Sequence, residues 1–165
     1  MSTNTAYMFW DMNSCRITST DNAVLDIVQK SFLELVENYG CTSAVLRGYC
    51  NFHDYRLLAD EIWALGQYNV QVQRFFDSPI AMEAEIELLA RILRDHPSSP
   101  EGSFELPLFL TSGNLELIWN VYTVNPNMVL CTSLTPTYPI ISHFIRGGLE
   151  VYEWDPSSGV GQRYS

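Results

Sequence analysis

The chain has 165 residues, a length that suits one domain with a sizeable hydrophobic core. Its hydrophobic fraction of 47% and charged fraction of 17% are those of an ordinary packed globule, which excludes a disordered or fibrous chain. Nine basic residues oppose nineteen acidic ones, giving a formal net charge of −10. This balance argues against tight, unassisted binding of RNA or DNA, because such binding rests on Lys and Arg contacts to phosphates.

Two further classes are disfavoured by local composition. No apolar run reaches the roughly 20 residues that span a bilayer, and the first residues lack the basic and apolar regions of a signal peptide. We therefore expect no membrane association and a cytoplasmic or nuclear location. The four cysteines are scattered and form no Cys/His cluster, so we expect reduced thiols and no zinc site.

Strand-like and helix-like segments alternate along the chain, as is typical of a mainly parallel sheet covered by helices on both faces. We predict a three-layer α/β/α sandwich over residues 6–154, preceded by a flexible segment at 1–5 and followed by a loose polar tail at 155–165. The predicted strands are, in chain order, Ala6–Asp11, Ser43–Cys50, Val70–Phe76, Leu106–Thr111, Met128–Thr132 and Leu149–Trp154.

Capping signals indicate where the helices between these strands begin and end. Asp21 is predicted to cap the first helix and Asp54 the second, while Ser78-Pro79 opens the third. The second helix is expected to bury Leu58, Ile62 and Leu65, and the third to bury Met82, Ile86, Leu89 and Leu93. The fourth helix is predicted to run from Ser112-Gly113 through Tyr122, and the fifth to cover Tyr138–Ile145. Residues 96–103 are predicted to be a flexible connection.

The candidate chemistry lies in the turns after the strands. In an open parallel sheet, ligands bind beyond the carboxyl ends of the strands, where the strand order reverses. Asp11 ends the first strand, Asn114 and Glu116 follow the Leu106–Thr111 strand, and Glu85 lies near the start of the third helix. Oxygen ligands of this kind suit Mg²⁺ or Mn²⁺. We expect the first strand and the Leu106–Thr111 strand to be neighbours at this reversal, and these four residues to converge there at one weak divalent-metal site.

Three motifs resemble those of NYN domains, especially the limkain-type ones, within the PIN-like nuclease superfamily. The segment from Tyr7 to Cys15 (YMFWDMNSC) is similar to their opening strand and turn. The segment from Phe109 to Leu117 (FLTSGNLEL) is similar to their Ser-Gly-Asp-x-Asp-Phe turn, and Met82–Leu89 to their Ala-Ala-Asp helix start. The resemblance implies a PIN-like fold and, for many members, metal-dependent cleavage of RNA.

Carried over residue by residue, the resemblance implies that Asp11, Glu85 and Glu116 are metal ligands, assisted by Asn114. Asn13 and Asn114 stand where the family has acids, and Ser14 stands where it has Asn. Lost carboxylates raise the repulsion between metal ions and loosen the geometry of a hydrolytic site. The resemblance therefore indicates a nuclease site that has lost part of its charge.

Structural explanations compete with this interpretation. Asp11 can simply cap the turn that follows its strand, and glutamates in a first helical turn oppose the helix dipole. The tryptophans belong to the core or to a protein interface. A receiver-like signalling domain is disfavoured, because it needs a lysine after the fifth strand and the only lysine here is Lys30.

Two functional hypotheses follow. In the first, the chain is a pseudonuclease that acts as a protein-interaction module in RNA metabolism or in the regulation of gene expression, with a protein partner or as a homodimer. In the second, it is a weak Mg²⁺- or Mn²⁺-dependent endoribonuclease acting on single-stranded RNA. The acidic composition and the substituted site favour the first.

Overall fold

The structure is a computed structural model that describes residues 5–52, 55–75, 81–96 and 106–164, without the side chains of residues 74, 75 and 81–85. Its strands are β1 (Thr5–Asp11), β2 (Ser43–Asn51), β3 (Val70–Phe75), β4 (Leu108–Thr111), β5 (Met128–Thr132), β6 (Glu150–Asp155) and β7 (Gly159–Arg163). Its helices are α1 (Asn22–Glu37), α2 (Ala59–Gln67), α3 (Ala81–Asp95), α4 (Leu115–Val124) and α5 (Pro139–Arg146).

One seven-stranded sheet forms the middle layer, with the strand order β3-β2-β1-β4-β5-β6-β7. All neighbouring pairs are parallel except β6 and β7, which are antiparallel. The order runs from β1 through β2 to β3 on one side and from β4 through β5 on the other. The reversal therefore falls between β1 and β4, which pair with Trp10 opposite Thr111. This adjacency confirms the prediction that the first strand neighbours the Leu106–Thr111 strand.

Side chains that alternate along the central strands pack into two hydrophobic cores, one on each face of the sheet. Met8 and Trp10 of β1 join Phe32 of α1 and Leu65 of α2 on one face. On the other face Phe9 packs in a cluster with residues of α3, α4 and α5: Leu88, Ile92, Leu117, Ile118, Val121, Ile141 and Phe144. Helices thus cover both faces of the sheet, and the predicted α/β/α sandwich is confirmed.

Capping residues near the ends of three helices form local contacts. Asp21 caps α1 by accepting a hydrogen bond from the Val24 amide at 3.0 Å, and Gly40 follows the helix with a φ of 79°. Asn114 caps α4 in the same manner, a role that was not predicted for it, and Pro139 occupies the first position of α5. A cap depends on a few neighbouring residues, so it can be inferred from sequence without knowledge of the fold.

Two helices differ from their predicted form. Helix α2 begins at Ala59, where the Glu61 carboxylate accepts from the Leu58 amide at 2.9 Å. Leu58 is therefore an exposed capping residue rather than a core residue, and the predicted cap Asp54 lies outside the described residues. Among the α3 side chains that the structure describes, the buried ones are Leu88 and Ile92, whereas the predicted Ile86 is 62% exposed. Of the other predicted residues, Leu89 is partly buried against the core, Leu93 is partly buried, and the side chain of Met82 lies outside the described residues.

The expectation of a loose C-terminal tail was wrong. Residues Gly159–Arg163 form β7, which pairs with β6, and the Val160 amide donates to the Ser31 hydroxyl of α1 at 2.9 Å. Backbone pairing with β6 holds this short, glycine-containing strand in place. Such pairing requires no hydrophobic pattern, so the sequence of the strand did not indicate it. The predictions for residues 1–4, for Ser78-Pro79 and for most of the 96–103 connection fall outside the described residues.

Two exclusions concern the described residues alone. None of their helices is both long and apolar enough to cross a membrane. Cys15, Cys41, Cys50 and Cys131 are all buried, and among the described residues none of them forms a disulfide bond.

Candidate functional site

Asp11 is the last residue of β1 and lies at the point where the strand order reverses. Its neighbour β4 ends at Thr111, and the segment Ser112-Gly113-Asn114 then leads into α4. Asp11 is only 4% exposed, and Ser112 is fully buried beside it. A buried carboxyl group at this position must find hydrogen-bond donors, because an unpaired buried charge is strongly unfavourable.

Two serine hydroxyls supply those donors. The Ser14 hydroxyl donates to Asp11 Oδ2 at 2.6 Å, and the Ser112 hydroxyl donates to the same oxygen at 2.9 Å. The two hydroxyl oxygens are themselves 3.3 Å apart. One carboxylate oxygen therefore joins the turn after β1 to the turn after β4.

The same hydroxyls also accept hydrogen bonds from the backbone that leads into α4. The Gly113 amide donates to the Ser14 oxygen at 2.8 Å, and the Asn114 amide donates to the Ser112 oxygen at 3.0 Å. Each serine hydroxyl thus accepts a hydrogen bond from a backbone amide and donates one to the Asp11 carboxylate. This network holds the start of α4 against the end of β1.

Burial controls the ionisation of Asp11. It raises the pKa of the Asp11 carboxyl above its ordinary value, and the hydrogen bonds from Ser14 and Ser112 oppose that rise without cancelling it. Burial, together with the negative charge of Asp11, also raises the pKa of the nearby Cys15 thiol to about 12. Cys15 is therefore a neutral thiol at physiological pH and a poor nucleophile.

The other predicted residues of this turn have different surroundings. The Asn114 side-chain oxygen accepts from the Leu117 amide at 3.2 Å, which is the capping bond of α4. Glu116 lies in the first turn of α4 with an exposed side chain, where its charge favourably opposes the helix dipole. The loop thus brings Asn114 next to the Asp11 network, while Glu116 faces solvent.

Asn13, which stands where the resembled family has an acid, has a structural partner of its own. Its side-chain nitrogen donates to the Asn51 carbonyl at 2.9 Å, and its side-chain oxygen accepts from the Asn51 amide at 2.8 Å. The pair ties the turn after β1 to the end of β2. An acid at position 13 could accept from the Asn51 amide but could not donate to its carbonyl.

The metal ligands predicted from the resemblance are only partly described. The backbone of Glu85 lies in α3, but its side chain falls outside the described residues. Among the described side chains, no group of three or more His, Cys, Asp or Glu residues is arranged to hold a metal ion. Of the predicted acids, the described part of the site therefore presents the buried Asp11 and the exposed Glu116.

Sequence reasoning missed the roles of Ser14 and Ser112. Both were identified as members of motifs, but neither was identified as a partner of Asp11. A signal was present, since each of the two turns at the predicted reversal of strand order carries a small hydroxyl residue. Hydroxyls are common in turns for local reasons, so this signal has little weight without the strand pairing.

Comparison with known proteins finds no protein-family model and no curated protein sequence that matches this chain. The resemblance to NYN domains therefore depends on the three sequence motifs.

Proposed function

We propose that this chain is a pseudonuclease-like α/β domain that works as a protein-interaction module in RNA metabolism or in the regulation of gene expression. The observation that carries the proposal is the double hydrogen bond from Ser14 and Ser112 to Asp11 Oδ2. Asp11, one of the three expected metal ligands, accepts internal hydrogen bonds that join two turns.

The number of hydrogen bonds that these oxygen atoms already accept supports the pseudonuclease proposal. A carboxylate oxygen has about two acceptor positions, and two hydroxyl hydrogens occupy those of Oδ2. The Asn114 side-chain oxygen, which could assist a metal, accepts the capping bond from Leu117. A metal ion that binds Oδ2 would have to displace a serine bond, and these bonds stabilise a buried charge. This cost opposes binding of a hydrated Mg²⁺ ion, which gives up its waters reluctantly.

Support for an interaction role comes from large apolar side chains on the outer faces of the helices. Trp63 of α2 is 68% exposed and Trp119 of α4 is 45% exposed. Tryptophan is enriched at the centres of protein interfaces, where its burial contributes much of the binding energy. The net charge of −10 favours a protein partner over a nucleic acid.

One observation favours the second candidate, a weak Mg²⁺- or Mn²⁺-dependent endoribonuclease. Asp11 is a buried ionisable group with a raised pKa at the reversal of strand order, and perturbed groups of this kind concentrate at active sites. In that case Mn²⁺ would replace the serine hydroxyls on Asp11, with Glu85 and Glu116 as further ligands.

Calorimetric titration with Mn²⁺ and cleavage of fluorescent single-stranded RNA test the two candidates together. The variant is Asp11→Asn, and the control is Asp26→Asn, which removes the same charge from an exposed position of α1. The pseudonuclease proposal expects no cleavage, and no heat of Mn²⁺ binding that depends on Asp11. Asp11-dependent cleavage that Asp26→Asn retains would replace it with the endoribonuclease.

The interaction role needs a separate measurement. Sedimentation of the wild type and of Trp63→Ser and Trp119→Ser variants tests the homodimer form of the proposal. A dimer that one tryptophan variant dissociates would locate the interface. A strictly monomeric wild type would exclude the homodimer and leave a different protein as the partner.

A further inference from the structure

A cavity of about 390 Å³ opens at the amino edge of the sheet, opposite the edge that holds Asp11. Its floor is formed where three strands begin, by Pro107 before β4, Met128 of β5 and Glu150 of β6. Tyr39 and Tyr122 also line it. The volume lies in the range of small-molecule sites, which are about 300–1,000 Å³.

The helices around this cavity direct their negative ends toward it. Tyr39, Pro126 and Gly147 line the cavity, and each lies at or within two residues of a helix C-cap, those of α1, α4 and α5. The carboxyl end of a helix carries a partial negative charge, because the peptide dipoles of the helix are aligned along its axis. In the fully described α1 and α4, no basic residue lies in the last turn to offset it, whereas α5 has His143 and Arg146.

Glu150 adds a full negative charge to the lining. Its Oε2 accepts a hydrogen bond from the Tyr39 hydroxyl, and its Oε1 lies 3.5 Å from Nη1 of Arg163. The Arg163 side chain is 55% exposed, so this ion pair is open to solvent and weak. A competing cation can therefore take over the carboxylate at small cost.

The tyrosines give the cavity aromatic surface. The Tyr39 ring is held edge-on against Phe109, with the ring centroids 5.4 Å apart. The Tyr122 ring is packed against Phe144 at 4.9 Å. Both rings are thus fixed by core residues. The face of an aromatic ring attracts a cation, and a cation in this cavity would also meet the carboxylate and the helix ends.

We propose that this cavity binds a small organic cation: an ammonium or guanidinium group on a short aliphatic or aromatic stem. The cationic group pairs with Glu150 in place of Arg163, and the stem packs against Tyr39, Tyr122 and Met128. The site lies at the opposite edge of the sheet from Asp11 and is independent of the pseudonuclease proposal, so either can fail without the other.

A size-matched pair of probes with opposite charges tests the ligand class. Phenethylamine and 3-phenylpropionate have similar size and opposite charge, and each is titrated against the isotope-labelled protein by NMR. We expect phenethylamine to shift the amide signals of Asn127, Gly147 and Gly148, and 3-phenylpropionate to leave them unchanged. N-acetyl-arginine amide forms a third arm. Saturable binding of that probe alone would assign the cation to an arginine side chain of a partner protein rather than to a free amine.

Two variants should change the affinity in opposite directions. Glu150→Gln removes the charge and keeps an oxygen for the Tyr39 hydroxyl, so we expect cation binding to weaken about tenfold. Arg163→Gln removes the competing cation, so we expect binding to strengthen about two- to fivefold. Glu153→Gln, an exposed position on the same strand, controls for net charge and should have no effect.

Thermal melts establish that each variant is folded. Equal binding of the anion and the cation would overturn the proposal. So would a folded Glu150→Gln variant with unchanged affinity for every cationic probe, or no saturable binding of any cationic probe.

Discussion

Ser112 donates a hydrogen bond of 2.9 Å to Asp11, a residue 101 positions earlier in the chain. The bond exists because β1 and β4 are neighbours, which places the turns after both strands side by side. Ser14 completes the arrangement from the turn after β1.

Removing either hydroxyl should destabilise the fold. Ser14→Ala and Ser112→Ala each leave the buried Asp11 carboxylate with one donor fewer and a backbone amide without its acceptor. We expect each to lower the free energy of unfolding by about 1–3 kcal/mol, measured by chemical denaturation. Ser158→Ala, at an exposed turn, is the control and should change it by less than about 0.5 kcal/mol. Because both serines serve the same oxygen, the double variant should deviate from additivity. Two strictly additive, small effects would contradict a shared network.

The raised pKa of Asp11 predicts a signed pH dependence. A carboxyl whose pKa is higher in the folded state than its ordinary value of 3.8 contributes stability at low pH, and this contribution is lost as the pH rises through the folded-state pKa. Asp11→Asn cannot ionise and lacks this dependence. We therefore expect the difference in unfolding free energy to shift in favour of Asp11→Asn as the pH rises above 3.8, and to level off above the folded-state pKa. Urea denaturation across this range measures the shift. A shift in the opposite direction would mean that the hydrogen bonds outweigh burial.

Restoring an acid at position 114 tests whether lost charge is the main obstacle to metal binding. Asp can keep the capping bond to the Leu117 amide, so Asn114→Asp should fold. We expect Mn²⁺ at about ten times its Kd to raise the melting temperature of this variant by about 4 °C, and that of the wild type by less. Asn120→Asp adds the same charge to the same helix away from the turn and should respond no more than the wild type. If Mn²⁺ leaves Asn114→Asp unchanged, the serine bonds to Asp11 are a sufficient barrier.

Gly113 should tolerate no side chain. A Cβ built there would overlap the Ser133 hydroxyl oxygen and lie 3.4 Å from the Ser14 carbonyl oxygen. We expect Gly113→Ala to cost about 1–3 kcal/mol of unfolding free energy. Adding Ser133→Ala should recover part of that loss by removing the oxygen. Gly66→Ala is the matched control, because a Cβ there meets nothing within 4 Å and the helical position favours alanine. Equal losses at the two glycines would show that the contact with Ser133 is unimportant.

Much of the fold could be predicted because its determinants are local. The alternation of helices and strands, the cap at Asp21, and the burial of the Leu108–Thr111 strand all depend on short runs of residues. Their pattern was enough to indicate the three-layer sandwich. The later start of α2 was missed because the capping bond runs from the Leu58 amide to the Glu61 carboxylate. Leu58 lies in a run of apolar residues, which does not indicate a helix start.

The sequence by itself determined the class of fold and brought Asp11 and Asn114 to the same edge of the sheet, since parallel strands align their carboxyl ends. Only the tertiary structure decided which side chains form hydrogen bonds at that edge. Ser14 and Ser112 become donors to Asp11 because β1 and β4 pair, and Asn13 fits the end of β2 because β1 and β2 pair. The same applies to β7 and to the cavity at the amino edge, where residues distant in the chain meet. These features depend on which strands become neighbours. A hydrogen bond forms only when its donor and acceptor atoms are about 3 Å apart, so its partners are defined only after the strands have paired.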